Sequence, residues 1–219
     1  MPLIRCTRPP CRSSFEVAPD RLGRNVDCPA CGHRITAVPA VPDDGPPQRR
    51  ARPRLPPLPL EALLDDVRSL WNVGSMFRTA DGAGMRHLYL TGITGYPPRK
   101  EISKTALGAD EHVAWSHHRD PVACAVRLRD QRRLLLALET TPTSLEYDRL
   151  TLPALGPDGD YDAVCLVVGN EVAGVAPALL ELAPVHIALP MRGVKDSLNA
   201  AVAFGVAGFA LAGALAGRR

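Results

Sequence analysis

The sequence predicts an α/β protein with a mostly parallel sheet, preceded by a small ribbon built on four cysteines. Three observations lead there. From Leu60 onward, short apolar runs alternate with helical segments, which is the rhythm of βαβ units. Four of the six cysteines fall within residues 1–38, as two close pairs. Between these regions, residues 39–59 hold eight prolines and the cluster Arg49, Arg50, Arg52 and Arg54. Proline fixes φ and removes donors, so this stretch reads as an extended linker without a core. The expected organisation is a ribbon at 1–38, a linker at 39–59 and a main domain at 60–219.

At 219 residues and 46% hydrophobic content, a medium domain with a small appendage has ample core. No charge-free apolar run reaches the roughly 18 residues of a membrane span. The nearest, Leu198–Ala216, is interrupted by the polar Asn199 at its start, is rich in Ala and Gly, and reads as a buried helix. The N-terminus lacks an apolar export region, so a reducing cytoplasm is the expected compartment, where paired cysteines point to metal before disulfide. Net charge is +3, but residues 1–59 carry ten Lys/Arg against five Asp/Glu, while residues 60–219 carry sixteen against eighteen. The basic excess therefore sits in the N-terminal quarter, where it suits a polyanion or a solvated tail equally well.

In the ribbon, Cys6 and Cys11 stand as C-x4-C, and Cys28 and Cys31 as C-x2-C, with sixteen residues between the pairs. Two short Cys loops supply two corners each of the tetrahedron that zinc prefers. Pro9 and Pro10 enlarge the first loop. The fragment reads as two knuckles on β-hairpins over a minimal core of Phe15, Val17 and Val26, too small to hold without metal. With four protein ligands no position remains for a reactive water, so the zinc is expected to be structural. His33, beside the second pair, reads as an exposed neighbour. Cys124 and Cys165 lie in apolar segments and read as core.

In the main domain the expected strands are Ala62–Val67, His87–Thr91, Arg133–Leu138, Ala163–Val168 and Val185–Leu189. Each is short, apolar and followed by Gly, Asn, Thr or Pro. Helices are expected over Gly74–Ala83, Pro121–Asp130, Pro177–Leu182 and Ser197–Ala214.

Three blocks carry chemistry. "NVGSMFRTADGAG", Asn72–Gly84, opens a helix after a strand and offers Asn72 and Arg78 to an anion or a ribose edge. "LVVGNEVAGV", Leu166–Val175, runs from a buried strand into Gly169, which can lie against a ligand for want of a Cβ, and Glu171. An acid at a strand's carboxyl end sits where open α/β sheets bind ligands. "IALPMRGVKDSLNAAVAFGVAGFAL", Ile187–Leu211, ends a strand at Pro190 and begins a small-residue helix near Ser197 and Asn199. No G-x-G-x-x-G follows a strand, so a dinucleotide fingerprint is not competing.

In order, N-x-G-x3-R-x-A-x3-G, then G-N-E-x2-G, then P-M-x-G-x3-S-L-N resemble the SpoU/TrmH family of the SPOUT methyltransferases, from about Leu60 to the C-terminus. The stretch "PPRKEISKTALGADEHVAW" is similar to one bacterial subgroup of that family. The resemblance implies a C-terminal deep trefoil knot, a homodimer, an RNA substrate (tRNA or rRNA) and S-adenosylmethionine bound inside the knot. Carried over by position, the cofactor pocket would include Thr140, Gly169, Leu189, Met191, Gly193 and Leu198. The implied reaction is methylation of a ribose 2′-hydroxyl. Arg78 would clamp a phosphate and stabilise oxyanion character, because a guanidinium with a pKa above about 12 is a poor base. Asn72 and Asn199 would orient the ribose and the loops, Glu171 would hold a loop or the cofactor's amino group, and Ser197 would bond RNA or cofactor.

Three rival readings remain in view. A knotted protein that binds RNA or S-adenosylmethionine without turnover has no need of Asn72, Arg78, Glu171, Ser197 and Asn199 together. A related SPOUT base methyltransferase is disfavoured by the S-L-N and N-x-G-x3-R blocks. A DNA-binding ribbon would lack a recognition helix.

Overall fold

The computed structural model describes residues 1–11, 13–38 and 55–217. The linker arginines Arg49, Arg50, Arg52 and Arg54 lie outside the described residues. The chain divides into two compact units, an N-terminal one and a larger one from Leu55 onward.

Two antiparallel hairpins make the first unit. Strand β1 (Leu3–Arg5) pairs with β2 (Ser14–Glu16), Ile4 facing Phe15, and β3 (Asn25–Asp27) pairs with β4 (Arg34–Thr36), Val26 facing Ile35. Ile4, Val17, Ile35 and Ala37 are buried, with Phe15 and Val26 half-buried against them. Of the expected core, Val17 is central and the two others flank it. Strands of three residues alternate too briefly for Ile4 and Ile35 to stand out in the sequence.

The second unit is a seven-stranded sheet in which every pairing is parallel. Its strands are β5 (Leu60–Asp65), β6 (His87–Thr91), β7 (Ala114–His118), β8 (Arg133–Leu138), β9 (Leu145–Glu146), β10 (Ala163–Val168) and β11 (Val185–Ala188). The spatial order is β7-β6-β5-β10-β8-β11-β9. Strands β5 and β10 are buried along their whole length, as central strands of a covered parallel sheet must be. Alternate residues feed two cores. Ala62, Leu64, Val164 and Leu166 face one side, and Leu63, Cys165 and Val167 face the other. Helices α1 (Leu70–Ala83), α2 (Lys100–Ala106) and α5 (Ala200–Ala216) cover the first side, and α3 (Pro121–Asp130) and α4 (Pro177–Leu182) the second. Cys124 and Cys165 are buried, as expected. Among the described residues no helix is long and apolar enough to cross a membrane.

Among the buried polar groups, Glu61 lies against the second core. Glu61, 4% exposed, accepts from Arg133 at 3.1 and 3.2 Å and from the Tyr89 hydroxyl at 3.1 Å. Removing one partner of such a pair strands a charge and costs about 3–5 kcal/mol.

Two helices start away from their expected positions. Helix α1 begins at Leu70, not Gly74, because Ser69 is its N-cap and accepts from the Asn72 N–H. Gly74 lies inside it at the contact with α2, where a Cβ would strike Thr105 and the Ile102 carbonyl. Helix α5 begins at Ala200, not Ser197, because Asn199 caps it through bonds from Ala201 N (2.9 Å) and Val202 N (3.3 Å). Its buried stripe includes Phe204, Ala207, Gly208 and Leu211, while Val202, Val206 and Phe209 are exposed.

Candidate functional site

The strand order turns back between β5 and β10, so the loops at their carboxyl ends frame a crevice where open α/β sheets bind ligands. The loop after β10 is closed on itself. Asn170 and Gly174 exchange backbone bonds at 3.0 and 2.9 Å, and the Asn170 Oδ1 accepts from Val172 N and Ala173 N. A Cβ on Gly169 would collide with the backbone of Gly174. The missing Cβ is therefore also needed for loop closure.

Glu171 projects from this loop to the start of α1. Its carboxylate accepts from Arg68 N (2.9 Å), Ser69 N (3.0 Å) and Asn72 Nδ2 (2.9 Å). The Asn72 Oδ1 in turn accepts from Asn199 Nδ2 at 3.2 Å. One residue from each of the three blocks thus meets in a single chain of hydrogen bonds. Burial pushes the Glu171 carboxyl up, but the bonds from Arg68, Ser69 and Asn72 outweigh it and hold the group below the ordinary carboxylate range. With three donors on it, Glu171 is an anchor, not a poised base.

Beside this chain lies a cavity of about 270 Å³, near the lower end of the roughly 300–1,000 Å³ usual for small-molecule sites. Of the expected positions, Thr140, Gly169, Glu171, Leu189, Met191, Ser197 and Leu198 line it. Gly193 does not, and a Cβ there would meet nothing within 4 Å. Asn72 and Asn199 join the site through Glu171 instead of lining the cavity. Arg78 stands apart: it lies in the third turn of α1, exposed, and has no ion-pair or hydrogen-bond partner among the described residues.

Glu139 was not anticipated. Its carboxylate accepts from Val175 N (2.9 Å) and Thr140 N (3.1 Å), which fastens the Gly169–Val175 loop to the end of β8. The signal was an acid directly after a buried strand, the same signal that picked out Glu171. Glu139, Glu171 and Asp196 are the charged residues lining the cavity, and no Lys or Arg joins them. Leu138, Val168, Ile187, Leu189 and Leu198 give it apolar walls. A ligand with an apolar ring system and positive charge fits that lining.

In the N-terminal unit the Sγ atoms of Cys6, Cys11, Cys28 and Cys31 lie within 4.8 Å of one another. Cys6–Cys31 and Cys11–Cys28 are both 3.8 Å apart. A tetrahedron with zinc–sulfur bonds of about 2.3 Å has edges of about 3.8 Å, so the four thiolates fit a zinc ion. Each pair sits at a hairpin tip, and Gly32, at φ 68°, lets the second tip turn back so that its N–H reaches the Cys28 carbonyl at 2.8 Å. His33 is exposed and lies outside the sulfur set.

The family model described as "SpoU rRNA Methylase family" matches residues 59–209. Over 143 residues the chain is 28% identical to tRNA (guanosine(18)-2′-O)-methyltransferase of Aquifex aeolicus (strain VF5), covering 65% of this chain and 63% of that protein. It is 30% identical over 157 residues to 23S rRNA (guanosine(2553)-2′-O)-methyltransferase RlmP of Bacillus subtilis (strain 168), covering 69% and 57%. The chain therefore spans about three fifths of the length of these curated relatives. Among solved structures, the A. aeolicus TrmH/SpoU tRNA modifying enzyme shares the fold, with TM-score 0.64, 24% identity and coverage of 74% of this chain and 78% of that one. An AdoMet-bound rRNA methyltransferase from Sinorhizobium meliloti gives TM-score 0.62 at 28% identity, covering 69% and 54%.

Proposed function

The chain belongs to the SpoU rRNA methylase family, and we propose that it transfers a methyl group from S-adenosylmethionine to a ribose 2′-hydroxyl of tRNA or rRNA. The observation that carries the proposal is the chain Glu171–Asn72–Asn199, which ties three distant blocks together beside a cavity of suitable character. S-adenosylmethionine supplies an electrophilic methyl group on a positively charged sulfur. Thr140, Leu189, Met191 and Leu198 would hold it, and the acidic lining with apolar walls suits its charge and its adenine ring.

The protein's own part is to orient and to stabilise charge. Asn72 and Asn199 present amide groups toward the ribose edge, while Glu171 fixes Asn72 and the loop. Arg78, exposed and without a counterion among the described residues, is free to meet an RNA phosphate and steady the developing oxyanion. A guanidinium does not accept the proton, which passes to RNA phosphate or water. Ser197, at the cavity wall, bonds RNA or cofactor.

The same reading makes the protein a homodimer. Val202, Val206 and Phe209 recur at helical spacing and stay exposed, as an apolar face that a second copy would cover. Residues 1–38 act as a structural zinc ribbon, 39–59 as a linker and 60–219 as the methyltransferase domain, with ribbon and linker arginines adding phosphate contacts in the cytoplasm. The C-terminal knot belongs to this reading as well.

The test is to map 2′-O-methyl sites across total RNA from cells with and without the gene. A tRNA or rRNA ribose that loses its methyl group with the gene supports the proposal. An unchanged map of ribose methylation refutes it.

A further inference from the structure

The segment between β6 and β7 takes no part in the cavity, yet it carries an ordered aromatic cluster. The Tyr96 ring stacks on Trp115 with centroids 5.8 Å apart and planes at 27°, and it lies 4.6 Å from the His117 ring. Trp115 and His117 sit on β7, at the sheet edge, and His117 is fixed by a 3.1 Å bond between its Nε2 and the Gly92 carbonyl. Tyr96 itself is 40% exposed. Its ring is thus held in place by two neighbours while part of it meets solvent.

The cluster adjoins the proposed reaction site. A Cβ at Gly95 would strike the Leu70 side chain, so the loop is seated on the first residue of α1. The preceding residue, Ser69, donates its N–H to Glu171. Just beyond Tyr96, Arg99 and Lys100 are exposed and form no ion pair among the described residues. One turn later, Lys104 lies 5.7 Å over the Trp71 ring, which is 49% exposed. Glu101 is the acid set among these three cations. Aromatic faces interleaved with unpaired cations suit a nucleic acid: phosphates take the charge, and any base can stack because each has a π-face.

We propose that Tyr96, held on Trp115 and His117, is a stacking platform for an unpaired nucleobase of the RNA substrate, with Arg99 and Lys100 on the adjoining phosphates. The proposal rests on the RNA 2′-O-methyltransferase reading and adds to it a site for a nucleotide near the one that is methylated. An aromatic ring already fixed loses little conformational freedom when a base lands on it, so more of the stacking energy appears as affinity. Recognition of this kind reads unstacked bases in loops and ends, which is where proteins distinguish RNA sequences.

The experiment uses the full chain with bulk tRNA and bulk rRNA as probes. RNA affinity is measured at several salt concentrations and S-adenosylmethionine affinity on the same preparations. Tyr96→Ala should weaken RNA binding about 5- to 150-fold, the range of one base–aromatic stack, with an unchanged salt slope. Tyr96→Trp should keep the affinity. The pair Arg99→Ala/Lys100→Ala should flatten the salt slope by about 0.7 for each single-strand phosphate that the two cations neutralise in the wild type. S-adenosylmethionine affinity should be the same in all variants, which also reports that they are folded. If wild type binds RNA and Tyr96→Ala binds it equally well, the platform is overturned while the function stands. A wild type that binds S-adenosylmethionine but neither RNA overturns the functional reading, and the platform with it.

Discussion

Asn199 performs two tasks that different substitutions can separate. Its Oδ1 caps α5, and its Nδ2 donates to the Asn72 Oδ1 at 3.2 Å. Asn199→Ala removes both. Loss of an N-cap costs about 0.5–2 kcal/mol, and in a unit of this size each kcal/mol lowers the melting midpoint by about 2–4 °C. The alanine variant should therefore melt roughly 1–8 °C lower. Asn199→Asp keeps a capping oxygen and adds a negative charge where a helix N-terminus favours one. It turns the donor facing Asn72 into an acceptor, however. Asn72 cannot answer by turning its amide over, since its Nδ2 is held by Glu171. One hydrogen bond of about 0.5–1.5 kcal/mol is forfeited at the site, so kcat/KM should fall roughly 2- to 12-fold, while the retained cap keeps the midpoint above that of the alanine variant. The assay is transfer of a labelled methyl group to bulk RNA, with melting curves on the same samples. An aspartate variant as active as wild type would refute the role of the Asn72 link. One as unstable as the alanine variant would refute the cap.

Three further outcomes follow. One zinc per chain should be found by elemental analysis and lost in Cys28→Ser/Cys31→Ser; equal zinc in both would contradict the four-sulfur site. Arg78→Ala should lower methyl transfer about 10²–10³-fold with S-adenosylmethionine affinity nearly unchanged, and Arg78→Lys should fail in large part for want of the planar fork; equal loss of transfer and cofactor binding would move Arg78 into the cofactor pocket. Because the folded Glu171 pKa is depressed, its anchoring is fully present above the ordinary value of 4.5 and is lost as pH falls through the folded value. The difference in melting midpoint between wild type and Glu171→Gln should therefore shrink below about pH 4.5, and a constant difference across that range would contradict the anchor.

Much of this was legible in the sequence because it rests on short-range patterns. Strands β6, β8 and β10 coincide with their expected spans, since each is an apolar run closed by a turn residue. Strand β7 was not legible: Ala114-Trp115-Ser116-His117-His118 is half polar because it lies at a sheet edge, where its side chains are only partly buried. Helix α2 escaped for a related reason, being seven residues long with Ile102 and Ala106 as its buried positions. At the site, the motifs named residues that the fold brings together, but not which of them pair. The Glu171–Asn72 and Asn72–Asn199 bonds span 99 and 127 positions, and such pairings are set by sheet topology, not by any local pattern. Gly193 was carried over with its motif, although its place on an exposed loop leaves it outside the cavity.

Methyl transfer is tested most directly with the purified protein, S-adenosylmethionine with a labelled methyl group, and bulk tRNA and rRNA from cells lacking the gene. The RNA is digested to nucleosides and the labelled product identified by mass spectrometry. Label should appear in a 2′-O-methylated nucleoside, with almost none from the Arg78→Ala variant. Label in a base-methylated nucleoside, or no transfer by a protein that binds both S-adenosylmethionine and RNA, would contradict ribose 2′-O-methylation by this protein.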